Sequence, residues 1–182
     1  GDNKARREIK TIYRLPEPRL QPDQPAIESA LSGVEAIRYR YPDGPRDAET
    51  LLVDPATADI YIVSKREQSV HLYRVAYPQS TRSVITLELL GKLALTDVTA
   101  GDVSADASEV LIKTYGAVLY WQRRPDQNLG QALLGAPKRL SYYPEPQGEA
   151  IAWHPEGEGY FTVSEERDEI PALLYFYPRL EP

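Results

Sequence analysis

The chain has 182 residues, of which 42% are hydrophobic and 26% are charged, and its net charge is −6. Sixteen of the residues are prolines. This composition can bury a core and is not that of a disordered chain, although its prolines place much of it in loops. No apolar run approaches the ~18 residues of a membrane span, no basic stripe suggests a nucleic acid, and without cysteine there is neither a disulfide nor a Cys-ligated zinc.

A short β-type run in which an aliphatic residue precedes tyrosine occurs four times along the chain. The tyrosines are Tyr13, Tyr73, Tyr120 and Tyr175. Their spacing of roughly 50 residues is of the size that marks repeat architectures. Each run is predicted to be the third strand of one repeat.

A strand, a tight turn and another strand precede the last three of these runs. Residues that favour chain reversal, namely Pro, Gly, Asp and Ser, lie at the turns. The middle turn is predicted to be one residue shorter than the others. The predicted strand pairs are 48–53 with 60–63, 101–104 with 110–112, and 148–153 with 160–163.

Closing strands at roughly 34–41, 84–95 and 139–143 bring each repeat to about four strands. Four-stranded repeats of this length are typical of propeller blades. The predicted fold is an all-β propeller of four-stranded antiparallel blades, with about three to four blades and an incomplete ring in this chain. The predicted division is 1–42 for the end of a first blade, 43–95, 96–143, and 144–182 for a blade without its outer strand.

An incomplete ring leaves edges with unpaired backbone groups, which favour association. We therefore expect an upstream segment or another protein chain to complete the propeller, and a homo-oligomer is one form this could take. The chain contains no methionine. This agrees with a piece of a longer processed protein, or with a trimmed one.

The charged loops are predicted to gather on one face, around the axis of the propeller. The candidate ligand-binding residues there are Asp47, Glu49, Lys65, Arg66, Asp102, Lys113, Tyr115, Glu149 and Glu165. Among them, Glu49, Asp102 and Glu149 could hold Ca²⁺, which takes six to eight oxygen ligands. The alternative is that the acids pair with Lys65, Lys113 or Arg46 and bind nothing.

The sequence indicates no catalytic constellation, so the catalytic residues stay unknown. His71 is predicted among exposed polar residues and His154 in a turn, neither beside a serine and an acid as a hydrolase triad requires. Most aromatic residues are predicted to be core. Trp121 and Trp153 are placed between blades, and only Tyr115, in a rim loop, is expected to contact a ligand.

Residues 47–55 and 147–155 resemble the repeated Glu-Gly/Ala strand and Asp-Pro turn of bacterial six-bladed-type propellers, including phytase-like and SdiA-regulated-like proteins. The opening residues 1–8 also resemble a Gly-Asp-Asn-x-x-x-Arg segment of bacterial propellers in which one further blade lies upstream. For the phytase-like members the resemblance implies calcium-bound acids and phosphate handling at the axial mouth. Only Glu49 and Glu149 match by register.

These observations favour a non-enzymatic binding or assembly module from an exported bacterial protein, extracellular or periplasmic. The alternative is a calcium-dependent propeller enzyme that hydrolyses phosphate or other esters.

Overall fold

The computed structural model describes residues 1–19, 21, 23, 25, 28 and 30–180. Within these ranges it contains fourteen β-strands and one short helix. The elements in chain order are β1 Lys10–Arg14, β2 Glu35–Arg40, β3 Ala48–Val53, β4 Ile60–Ser64, β5 Val70–Val75, β6 Ile85–Thr86, β7 Glu88–Leu93, β8 Val98–Val103, β9 Glu109–Thr114, β10 Val118–Gln122, α1 Leu129–Leu133, β11 Lys138–Leu140, β12 Gly148–Trp153, β13 Gly159–Ser164 and β14 Leu174–Pro178.

The strands form four small sheets. The first sheet has the order β1-β2-β6, the second β3-β4-β5-β7, the third β8-β9-β10-β11 and the fourth β12-β13-β14. All pairs are antiparallel except that of β2 with β6. In each sheet after the first, the strand that comes first along the chain lies at one edge, and the later strands are added next to it in chain order. We call these first strands, β3, β8 and β12, the inner strands.

Three apolar cores join the sheets in sequence order. Ile37 and Tyr39 of the first sheet pack with Ile60 and Tyr73 of the second. A second cluster joins the second sheet to the third, and a third cluster joins the third sheet to the fourth. Alternation along the strands places one set of side chains in each interface. This stack of small antiparallel sheets is a β-propeller with an incomplete ring, which confirms the predicted fold class.

The outer strands differ from the prediction in their bounds. Residues 84–95 are not one strand, because Leu87 crosses between two sheets and its backbone N–H donates to Arg40 O at 2.9 Å. The preceding β6 pairs in parallel with β2 of the first sheet, while the following β7 pairs with β5 of the second. The last outer strand, β11, ends at Leu140 and not at Tyr143.

Helix α1 was not expected from the sequence. It lies between β10 and β11 and begins with a capping box, in which the Asn128 side chain accepts from the Gln131 backbone N–H and Gln131 reciprocates. Leu129 and Leu133 are both fully buried, in the core between the second and third sheets.

The prediction of a shorter middle hairpin is wrong. Val103 pairs with Val110, as Val53 pairs with Ile60 and Trp153 with Tyr160. Equivalent residues of the three hairpins are therefore fifty positions apart in each case. Each inner strand also carries a β-bulge at its start, at the same register. The middle turn lacks the proline that the other two turns contain, so its equal length was not recognised in the sequence.

Candidate functional site

The three bulges place equivalent residues at the axial mouth of the inner strands. These bulge positions hold Glu49 in β3, Thr99 in β8 and Glu149 in β12. A bulge turns a side chain out of the regular alternation, which is how the two carboxylates come to face the same space. Thr99 donates its hydroxyl to Gly148 O at 3.0 Å and so ties the third sheet to the fourth.

Asp102, which the sequence analysis grouped with Glu49 and Glu149, does not lie at the third bulge position. It lies further along β8, opposite Leu111. Its carboxylate accepts from the backbone N–H of Val103 at 2.9 Å and of Trp153 at 2.7 Å. Burial is the main effect on this group and raises the pKa of Asp102. The structure therefore separates it from the two glutamates with which it was grouped.

A second set of equivalent positions follows the second strands, and it holds Lys65, Tyr115 and Glu165. The Lys65 side chain is 3% exposed, and its ammonium donates to Glu49 and, at 2.9 Å, to the Tyr115 hydroxyl. That hydroxyl donates to Glu149 Oε1 at 2.7 Å, and Lys65 Nζ lies 3.8 Å from the other oxygen of Glu149. The ammonium of Lys65 thus links the carboxylates of Glu49 and Glu149, both of which were predicted as ligand-binding residues.

The bonds of this network outweigh burial at Lys65. Burial alone would lower the pKa of Lys65, but the bonds to Glu49 and Tyr115 raise it above its ordinary value. At Tyr115, burial and the neighbouring Glu149 raise the pKa of the phenol. The ammonium form of Lys65 and the protonated form of Tyr115 are therefore the ones that the site favours.

Asp47 and Arg66 form a separate pair beside this network. Arg66 Nε donates to Asp47 Oδ2 at 2.6 Å, and the other carboxylate oxygen accepts from the backbone N–H of Asp2 at 2.7 Å. Asp2 itself is held by Lys10 at 2.8 Å, and this bond, with one from the Arg7 backbone, lowers the pKa of Asp2. Asp47 and Arg66 thus lie at the rim as predicted, but they bind each other and Asp47 also binds the Asp2 backbone.

Lys113 is buried and does not reach the rim, although it was predicted there. It lies near the end of β9, and its Nζ is 3.4 Å from Glu145 Oε2, with both side chains 0% exposed. The ammonium also donates to Gly148 O at 2.9 Å. Burial lowers the pKa of Lys113, and the opposing effect of Glu145 does not cancel it. Its role here is to bind the third sheet to the fourth.

A cavity of about 810 Å³ opens beside these groups, on the axial side of the sheets. Its polar wall includes Glu49, Lys65, Thr99, Tyr115, Glu149 and Glu165. Glu165 is exposed and accepts from Gln147 Nε2 at 2.5 Å. Carboxylates, one ammonium and one phenol can bind polar or cationic groups by hydrogen bonds and charge.

His71 lies in a different environment from the one predicted. It is 7% exposed, and its Nδ1 is 3.0 Å from Asp43 Oδ2 and from the Tyr73 hydroxyl. Ser64 is close, but its hydroxyl accepts from the His71 backbone N–H and donates to Glu67 at 2.6 Å. The serine does not bond the ring, so this network holds strands together and does not form a hydrolase triad.

A group of possible metal ligands that was not considered lies in the turn between β12 and β13. His154, Glu156 and Glu158 can bring one ligand atom each within 4.8 Å of the others. The two glutamates are exposed. The spacing of alternate residues in a turn is the sequence signal that could have indicated this group.

No protein-family model matches the chain, and no curated protein matches it. Among solved structures it is similar to hydrazine synthase from Kuenenia stuttgartiensis, with a TM-score of 0.51 and 15% identity over 82% of this chain and 37% of that chain. The chain is less similar to TolB from Acinetobacter baumannii, with a TM-score of 0.47 and 16% identity over 80% of this chain and 35% of that chain. For Sqt1 from Saccharomyces cerevisiae the TM-score is 0.45, with 15% identity over 75% of this chain and 32% of that chain.

The chain spans about a third of the length of these three proteins. At such low identity the likeness to hydrazine synthase shows the fold alone. It agrees with the propeller described above and does not test the predicted relation to phytase-like or SdiA-regulated-like proteins. In the part of the chain that the structure describes, no helix is long and apolar enough to cross a membrane.

Proposed function

We propose that this chain is a non-enzymatic propeller module for binding or assembly, and that its open sheet faces dock a further sheet of the same kind. The further sheet would come from another part of a longer polypeptide, from another protein or from a second copy. In line with the sequence and its resemblance, we place the module in an exported bacterial protein.

The observation that carries the proposal is the outward face of the fourth sheet. By register, Ala152, Phe161, Leu174 and Phe176 share the face that points away from the third sheet. Leu174 is 68% exposed and Phe176 is 44% exposed. An apolar face of this kind on a soluble sheet marks an interaction surface.

Equivalent positions in the preceding sheets support this reading. Phe161 corresponds to Tyr61 and Leu111, which are 1% and 0% exposed because the next sheet covers them. Phe161 itself is only partly buried, and in the described part of the chain no sheet lies over it. The repeat therefore provides a side chain for an interface that another sheet would complete.

The inner strand of the second sheet gives independent support. Leu51 and Val53 are 41% and 49% exposed, whereas the corresponding Ile151 and Val103 are 8% and 9% exposed. The difference arises because the first sheet, as described, covers the outer part of this face and not the inner part. A docked strand or hairpin could cover Leu51 and Val53 by adding to the edge of β1.

The size of the protein in solution tests the proposal. We expect sedimentation velocity to show reversible association of the wild type with rising concentration. Phe176→Lys should weaken that association by at least about tenfold, since it places a charge in an apolar interface. Leu134→Lys, which changes a residue 46% exposed at the end of α1, is the matched control. A well-folded wild type that stays monomeric at every concentration would count against assembly.

The alternative is a calcium-dependent hydrolase of phosphate or other esters. Its specific support is the convergence of Glu49 and Glu149 on the cavity, within reach of one cation. That cation is the ammonium of Lys65, and the rim offers few further basic groups for phosphates. We therefore rank this function second.

A further inference from the structure

The turn between β12 and β13 brings together three side chains that can bind a metal ion, those of His154, Glu156 and Glu158. One ligand atom of each lies within 4.8 Å of the others. The backbone of this turn is closed by two bonds, from His154 N–H to Gly159 O at 2.9 Å and from Gly157 N–H to His154 O at 2.8 Å. The three side chains therefore project from a backbone of fixed shape.

The equivalent turn, between β8 and β9, shows that side chains at these three positions can reach one another. It lies fifty residues earlier and has the same two backbone bonds. Its residues at the three positions are Ser104, Asp106 and Ser108. Both hydroxyls donate to Asp106 Oδ1, Ser104 at 2.6 Å and Ser108 at 2.8 Å. Two donors satisfy the carboxylate there, so that turn needs no ligand.

The turn between β12 and β13 lacks these hydroxyl donors. Its two carboxylates only accept, and its imidazole can present a lone pair. Within the described residues, neither Glu156 nor Glu158 forms an ion pair with a lysine or an arginine, and Glu158 Oε2 lies 3.9 Å from His154 Nε2. Two negative charges that converge with a nitrogen lone pair favour a cation among them.

His154 is the ligand with the most restricted side chain. Its ring packs against Phe161 and Phe176, with centroid distances of 5.7 and 5.9 Å. Its Nδ1 accepts from the Glu156 backbone N–H at 3.3 Å, a long hydrogen bond that is given up at small cost when Nδ1 takes the proton and Nε2 binds a metal ion. Tetrahedral Zn²⁺ places its ligand atoms about 3.3 Å apart. Rotation of the Glu158 side chain, which is 65% exposed, can close the present 3.9 Å to that value.

We propose that His154, Glu156 and Glu158 form a binding site for a divalent metal ion of the zinc class. One imidazole nitrogen and two carboxylate oxygens are ligands that Zn²⁺ takes, whereas Mg²⁺ and Ca²⁺ prefer oxygen ligands alone. With three protein ligands, the ion keeps a fourth position for a water molecule. The site lies at the end of β12 that is opposite to its bulge. It goes beyond the proposed assembly function and does not depend on it.

The chain has two histidines, and NMR spectra of their imidazole rings provide the test. When the chelator-treated protein is titrated with Zn²⁺, the His154 signals should move and saturate at one equivalent. The His71 signals should stay in place, because that ring is held in contact with Asp43 and Tyr73. Mg²⁺ at the same concentration should leave the His154 signals unmoved. The variant His154→Ser assigns the two sets of signals.

Titration calorimetry of matched variants locates the ion. His154→Ser introduces the residue of the equivalent turn, so the fold should be kept while the affinity for Zn²⁺ falls by at least about tenfold. Glu158→Gln, which keeps the shape of the side chain, should weaken binding by about fivefold or more, whereas Glu166→Gln, at an exposed glutamate outside the turn, should not change it. The proposal is overturned if Zn²⁺ does not bind saturably. It is also overturned if His154→Ser binds Zn²⁺ as the wild type does, since the ion would then lie elsewhere, for example at Glu49 and Glu149.

Discussion

The ion pair between Lys113 and Glu145 is the most deeply buried charged contact of the axial region. Around it, Glu145 accepts from the Tyr142 hydroxyl at 2.9 Å and from the Thr162 hydroxyl at 2.6 Å. In an interior of low dielectric constant, two charges that balance each other are tolerated far better than one alone. The pair thus makes the contact between the third and fourth sheets depend on both partners.

We expect Lys113→Met to lower the free energy of unfolding by about 3–5 kcal/mol, because Glu145 is left buried without its cation. The double variant Lys113→Met with Glu145→Gln should lose less than the sum of the two single variants. Urea unfolding of all four proteins measures this. Strictly additive losses would show that the two side chains do not act as a pair.

The lowered pKa of Lys113 gives the stability a pH dependence with a defined sign. Between the lowered pKa in the folded protein and the ordinary value of about 10.4, the unfolded chain binds more protons than the folded one. The contribution of Lys113 to stability should therefore rise with pH in this window. We expect the stability difference between wild type and Lys113→Met to increase there, measured by urea unfolding. A difference that falls with pH would contradict the assignment.

Gly148 is required by this network because of its close approach. A Cβ atom there would lie 2.1 Å from Lys113 Nζ and 2.2 Å from Glu145 Oε2. We expect Gly148→Ala to cost about 1–3 kcal/mol, the usual penalty for overfilling a packed site. Gly116→Ala is the control: open space surrounds Gly116, and its change should stay within about 0.5 kcal/mol. Equal effects in thermal unfolding would refute the packing argument.

At the level of elements, the sequence predicted the strands of the three hairpins but not the bulges at their starts. The strand, turn and strand pattern predicted the sheets because turn residues and alternating apolar residues are local signals. The bulge is not such a signal, since it depends on how two backbones pair. For this reason Thr99, a residue without charge, was missed as the equivalent of Glu49 and Glu149, and Asp102 was grouped with them.

Other failures had similar causes. The burial of Lys113 and His71 follows from how neighbouring sheets pack, which the spacing of residues along one strand does not contain. Helix α1 is only five residues long, too short for a periodic pattern. Its capping box, Asn128 with Gln131, was the available signal. By contrast, Trp121 and Trp153 were correctly predicted to lie between blades, because large aromatic residues at strand ends suit such interfaces.

The turns of the second and third hairpins share a left-handed residue, Ala107 in one and Gly157 in the other, with φ of 62° and 74°. This conformation costs alanine more than glycine. We expect Ala107→Gly to raise the stability by up to about 1 kcal/mol, measured by urea unfolding, since the strain exceeds the entropy that glycine adds to the unfolded chain. Ala105→Gly, in the same turn without positive φ, should lower it.

At the scale of the whole molecule, three sheets direct their bulge positions and following loops to one axial mouth. This arrangement gathers Glu49, Glu149 and Glu165 from distant parts of the sequence, and Lys65 is placed among the first two. A scaffold and a calcium-dependent enzyme would use this mouth differently. In the scaffold the ammonium of Lys65 balances the acids, whereas in the enzyme a calcium ion would.

Calcium titration separates these two functions. If Lys65 balances the acids, chelator-treated wild type should give no saturable heat on titration with Ca²⁺ and no rise in melting temperature. Lys65→Met removes the ammonium from Glu49 and Glu149, so it should acquire weak binding in about the millimolar range, where few ligands and an unadapted geometry place a site. Lys4→Met, which removes an exposed lysine, should behave as the wild type does. Saturable binding by the wild type, with a higher melting temperature, would favour the hydrolase over the assembly module, because a bound hard cation would then have displaced the lysine.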